Sequence, residues 1–230
     1  MYRKISCRFF TFCLITFFMA MMTIINFVNA FEVFPADSKP YGLTYGEWAA
    51  KWWQWSYSIL EENNPIKDST GKNCAINQSG PVWFLAGTAG GSAERTCTIP
   101  EGKAIMFPII NWSCDAVTNP SFKTEAELAK CASPYQHVSM EASVDGNKIN
   151  DLENYKTFSP LYNFTMSEGN DLGLPAGTKN EAVSYGYWIM LEPLPVGTHD
   201  IQFKGIVADF TVTAPSTFIT EVTYHLNVEG

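Results

Sequence analysis

Three sets of side chains in this sequence have types and spacings that could do chemistry. The first is tryptophan: Trp48, Trp52, Trp53 and Trp55 put four of the seven indoles into residues 44–60. Clustered indoles can stack on sugar rings or other flat apolar faces, because each joins a large apolar area to a polar edge. Trp53, Trp55 and Glu47 are the candidate ligand-binding residues. The second set is carboxylates. Held among tryptophans, Glu47 would lose solvation, its pKa would rise, and it could serve as a general acid. A glycoside hydrolase also needs a second, facing carboxylate; Asp68, Asp115, Glu141, Glu192 and Glu221 are the partners on offer, and no spacing selects one. The third set is His137, His199 and His225, which lie far apart and lack the His-Glu-x-x-His spacing of a helical zinc site. His199 reads as a turn residue and His225 as a residue of an outer sheet face. There is no Gly-x-Ser-x-Gly elbow, and the glycines of residues 87–91 lack the lysine of a phosphate-binding loop. No metal and no cofactor is expected, Glu47 is the one catalytic candidate, and a non-enzymatic role is favoured.

The element that must position the tryptophans is a helix starting after Thr44. Thr44 and Glu47 have the spacing of a capping box, each side chain meeting the other residue's backbone N–H. Tyr45, Trp48, Ala49, Trp52, Ser56 and Ile59 then share one face, with Trp55 at its border. That period reads most of the tryptophans as core and leaves Trp53 toward the polar side, alongside Lys51 and Gln54. The capping box likewise supplies a structural reason for Glu47. Asn63-Asn64-Pro65 ends the helix, since a residue before proline avoids the helical region.

The rest reads as strands and turns. Residues 81–86 and 97–110 are apolar runs, and residues 111–134 look irregular apart from a short helix over 124–130. Residues 137–144 alternate and lead into the hairpin turn Asp145-Gly146. Further strands are expected over 155–166, 182–191, 200–212 and 218–228. In the last, Val222, Tyr224, Leu226 and Val228 form one face and Glu221, Thr223, His225 and Asn227 the other. Short strands at this spacing predict an antiparallel β-sandwich with one tryptophan-rich N-terminal α-helix. No repeat or linker divides the chain, so residues 31–230 are read as a single domain.

Residues 1–30 read as a signal peptide: a basic front of Arg3, Lys4 and Arg8, an apolar run, and Val28-Asn29-Ala30 with small residues at the cleavage positions. The run is also long enough to span a bilayer, so an uncleaved anchor is the rival reading. Cleavage removes three of the fifteen basic residues and none of the twenty-three acidic ones, taking the net charge from −8 to −11. That charge excludes nucleic acid and anionic membrane surfaces as expected partners. Of the six cysteines, Cys7 and Cys13 leave with the signal. Cys74, Cys97, Cys114 and Cys131 imply two disulfides in an exported chain. Three pairings exist; Cys74–Cys97 and Cys114–Cys131 close the shortest loops and are favoured.

Several stretches together resemble a family of uncharacterised exported bacterial proteins. They include Tyr45-Gly-Glu-Trp-Ala-Ala-Lys-Trp-Trp-Gln-Trp, Ser79-Gly-Pro-Val-Trp-Phe-Leu-Ala-Gly, Arg95-Thr-Cys-Thr-Ile-Pro-Glu-Gly-Lys and Pro193-Leu-Pro-Val-Gly-Thr-His. The chain also looks like a Legionella substrate of type II secretion. The resemblance implies a secreted, disulfide-bonded, β-rich protein that meets the secretion machinery in transit, with a virulence-associated role as an expectation. It carries over no activity. The expected function is an extracellular binding protein for a carbohydrate or a host or cell-surface ligand; the alternatives are a carboxylate-dependent glycoside hydrolase and a structural scaffold.

Overall fold

A computed structural model describes residues 31–133, 137–170, 172–208 and 217–230; the expected signal segment and residues 209–212 of the expected 200–212 strand lie outside them. Among the described residues two α-helices and ten strands follow in chain order. They are α1 (Tyr45–Tyr57), β1 (Val82–Phe84), β2 (Gly91–Pro100), β3 (Ala104–Asp115), α2 (Glu125–Ala132) and β4 (His137–Val144). Then come β5 (Asn147–Lys148), β6 (Lys156–Phe158), β7 (Tyr162–Thr165), β8 (Lys179–Leu191), β9 (Gly197–Ala208) and β10 (Phe218–Glu229).

The strands form two sheets. One runs β1-β3-β8, with β6 and β7 both on the far edge of β8; the other runs β2-β10-β9-β4-β5. Their inner faces meet in one core, where the rings of Phe107 and Phe203 stack 4.9 Å apart between Ile105, Ile189, Ile201 and Val222. The helix α1 lies on the other face of the first sheet, its Trp52 ring 5.4 Å from that of Trp188. The order is therefore helix, sheet, sheet. This explains why β1 and the first seven residues of β3 are buried throughout rather than alternately: both faces of those strands are covered. The second sheet has one wet face, and β10 alternates as its sequence requires, with Val222, Tyr224, Leu226 and Val228 inward.

The mainly β sandwich, the capped tryptophan helix and both disulfides, Cys74–Cys97 and Cys114–Cys131, are as expected. Four details differ from the sequence reading. The β1/β3 and β2/β10 pairs are parallel inside otherwise antiparallel sheets, because β1 and β2 each pair with a strand reached by a crossover rather than a hairpin. The apolar run over 97–110 belongs to two strands, divided by the turn after Pro100. β3 continues to Asp115 through residues expected to be irregular, and carries a bulge between Pro108 and Ile110. The expected 155–166 strand is split into β6 and β7 around Ser159-Pro160, since proline has no ladder donor.

Candidate functional site

The capping box at the start of α1 is formed in full. Glu47 N donates to Thr44 Oγ1 at 3.2 Å, and the Glu47 carboxylate accepts from Thr44 N and Thr44 Oγ1, both at 2.8 Å. The backbone N–H of Thr44, followed by its hydroxyl, holds the Glu47 carboxyl below its ordinary value. A general acid needs the opposite shift. Burial gives only a smaller upward push, because Glu47 is half-exposed at the helix entrance.

Three of the four helix tryptophans are buried, and each fastens a different piece of chain. Trp48 Nε1 donates to Pro40 O at 2.9 Å, Trp52 Nε1 to Leu85 O at 3.0 Å and Trp55 Nε1 to Ile76 O at 2.9 Å. Trp55, proposed from sequence as a ligand residue, is placed in the core with Phe84 against its ring at 5.6 Å. Trp53 is different. Its ring stacks on Tyr57 at 5.3 Å and meets the edge of Trp52 at 5.1 Å, and it lines a crevice of about 300 Å³. That volume is at the lower end of small-molecule pockets. Glu47 and Trp55 are not among the lining residues, so the three sequence candidates do not share one site.

The crevice exists because β1 is short. After Phe84 the chain leaves the first sheet and crosses to the second: Ala86 N donates to Tyr224 OH at 3.0 Å. Arg95, only 1% exposed, fixes that crossing. Its guanidinium donates to Ala86 O at 2.6 Å, Gly87 O at 3.1 Å, Asp68 O at 2.6 Å and Tyr224 OH at 2.8 Å. One wall is then residues 87–89 with Thr220, joined where Thr88 and Thr220 hydroxyls lie 3.1 Å apart. The opposite wall is the β3 bulge, Pro108 to Trp112, and Trp53 closes one end. Gly186 sits across from Asn111 in the ladder, and a Cβ there would come within 2.5 Å of Ile110 O. The close approach that makes the bulge requires glycine at that position.

Two residues that line the crevice each carry a buried polar atom without a hydrogen-bond partner among the described residues, Trp53 Nε1 and Asn111 Nδ2. Trp83 and Trp188 share the unpaired indole, so that feature alone marks no site. The amide of Asn111 is more telling, because a buried amide nitrogen without an acceptor is costly. Sequence reasoning missed both Arg95 and Asn111. Arg95 was detectable, since it lies in phase with Cys97 and Ile99 on the inward face of β2.

Asp68, Asp115, Glu221, His199 and His225 each have partners within the fold. Burial pushes the Asp68 carboxyl up, but hydrogen bonds from Asn73, Thr70 and the nearby Arg95 charge outweigh it and hold it low. Asp115 accepts from Val117 N, Thr118 N and Asn180 Nδ2, closing the turn after β3. Glu221 pairs with Lys204 at 3.0 Å on the wet face, in register across β9 and β10. His199 contacts Asp145 at 2.8 Å, and His225 bridges Asp200 and Glu94 at 2.8 and 2.9 Å. His137 lies at the opposite end of the second sheet from both, across from Ala208. No helix among the described residues is long and apolar enough to cross a membrane.

No family model matches this chain, and no curated protein matches it. Solved structures similar to parts of it include amebosin, at 15% identity and a TM-score of 0.25 over 65% of this chain and 100% of that one. The cysteine protease inhibitor EhICP2 from Entamoeba histolytica is 16% identical, with a TM-score of 0.21 over 64% and 94%. PbICP-C, solved in complex with falcipain-2, is 9% identical, with a TM-score of 0.22 over 67% and 96%. Scores of this size do not establish a shared fold.

Proposed function

We propose that this is an exported binding protein, without catalysis of its own, that takes a flat apolar group into the Trp53 crevice. The observation that carries the reading is the crevice itself: a mostly apolar lining, one aromatic wall and a buried, unpaired amide at Asn111. An aromatic ring laid against Trp53 matches that lining. Two disulfides support export, because such bonds persist in oxidising compartments. The resemblance to exported bacterial proteins and a type II route belong to the same proposal. N-terminal sequencing of protein from culture medium tests it, with Phe31 as the expected first residue.

Ligand-observed NMR with indole, p-cresol and methyl glucoside tests the site. Aromatic probes are expected to bind the wild-type chain and to be lost in Trp53→Ala while Glu47→Gln retains them. Sugar binding with the same dependence would place glycans in the ligand class. If no probe binds, or binding survives Trp53→Ala in a folded variant, the crevice is not the site.

A further inference from the structure

The crevice is lined by five consecutive residues of one strand, Pro108 to Trp112. Past the bulge the side chains alternate between the faces, so Ile110, Asn111 and Trp112 line one space only where that space runs along the strand's edge. Among the described residues that edge is unpaired for a definite reason. Ala104 N donates to Pro81 O and Met106 O accepts from Leu85 N, after which β1 has left. Among the described residues no strand pairs with β3 on that side beyond Met106.

Hydrogen-bond phase shows which groups are left. Ala116 N donates to Glu181 O, so residue 116 faces β8. Stepping back by twos, residues 114, 112 and 110 also face β8, in agreement with the register past the bulge. The main-chain N–H and C=O of Asn111 and Ser113 therefore point to the open edge. Two alternating donor–acceptor sets beside an apolar slot is the arrangement a strand needs from a neighbour.

We infer that the crevice is a strand-accepting slot, and that its occupant is an extended segment of a partner protein laid along the open edge of β3. The inference rests on the reading of the crevice as a binding site and names the class of ligand. Main-chain bonds to Asn111 and Ser113 fix the segment, and one bulky apolar side chain lies against Trp53. The segment is uncharged where it enters, because none of the lining residues is Asp, Glu, Lys or Arg, and a charged side chain would lose its water there without a partner.

The test is a displayed library of random linear peptides selected on the intact chain, followed by synthesis of the enriched peptide with each backbone nitrogen methylated in turn. Methylation at every second residue is expected to weaken binding about tenfold, one main-chain hydrogen bond each, while the intervening positions leave it unchanged. Amide exchange at Asn111 and Ser113 should slow when the peptide is added. Ser113→Pro, which removes an edge-facing N–H and no bond to β8, should weaken binding similarly. No enriched peptide, a methylation profile without the two-residue period, or unchanged exchange at both amides overturns the inference. A dimer of the chain alone that Ser113→Pro dissolves would overturn it too, by making a second copy the occupant. Indole or p-cresol binding that depends on Trp53, with no peptide bound, would remove this inference and leave the crevice reading; failure of both removes both.

Discussion

Glu47 and His225 show how the same kind of contact acts in opposite directions. Glu47 accepts from the N–H and hydroxyl of Thr44, which stabilises its charged form. Its pKa is depressed in the folded chain, so the stability it lends is present above the unfolded value of 4.5 and is lost as pH falls through the folded one. Thr44→Ala should destabilise the chain by about 1 kcal/mol in urea unfolding. His225 is the reverse case. Hydrogen bonds to Glu94 and then Asp200 raise its pKa from 6.5, so its contribution is full below that value and fades as pH rises through the folded one. Thermal unfolding should therefore place His225→Gln below wild type at mildly acid pH and level with it at alkaline pH. An unchanged difference across that range would show that the imidazole is not held as a cation. The capping box was legible from four residues because helix capping is local. The clamp at His225 was not, since Glu94, Asp200 and His225 meet only through the order of β2, β10 and β9.

At the scale of elements, α1 is fixed by what its backbone can approach. Gly46 faces β6, and a Cβ there would lie 2.3 Å from Phe158 O, a fixed backbone atom. Gly46→Ala should raise helix propensity and still destabilise the protein by about 1–3 kcal/mol, because overpacking forces the helix off the sheet. A thermal midpoint equal to or above wild type would show that the helix is not seated there. Further along the same helix, Trp52 is 1% exposed and donates to Leu85 O, so Trp52→Ala should lose about 3–5 kcal/mol. The buried stripe of α1 was legible, because a period of 3.6 residues needs no knowledge of the partner. Trp55 sat at the border of that stripe, and only the position of Phe84 and Ile76 decided that it is core. The bulge in β3 had no signature beyond Pro108.

The whole molecule is joined at Arg95, where the crossing from the first sheet to the second, the turn at Asp68 and the ring of Tyr224 converge. Arg95→Met keeps the apolar stem, leaves the carbonyls of Gly87 and Asp68 without donors and leaves that of Ala86 with the Tyr224 hydroxyl alone. It should destabilise the chain by about 3–5 kcal/mol, and a chemical denaturation curve within 1 kcal/mol of wild type, roughly the worth of one hydrogen bond, would show the network is dispensable. Cys74–Cys97 ties that same turn to β2, and Cys74→Ala with Cys97→Ala should lose about 2–4 kcal/mol by freeing the unfolded chain.

By itself the sequence determined whatever depends on neighbours along the chain: the cap and stripe of α1, the alternation of β10, the hairpin at Asp145-Gly146 and the short closures of the two disulfides. These are local because helix period, strand period, turn conformation and loop entropy are each set within a few to some twenty residues. The helical period also left Trp53 off the buried stripe; only the tertiary structure decided that a cavity lies beside it, and that β1 stops early enough to leave part of β3 unpaired among the described residues. Trp53, Asn111 and Thr220 belong to three elements separated by most of the chain, and the space between them is a property of where β1 stops and the chain crosses between the sheets. Spacing along a sequence carries no record of that.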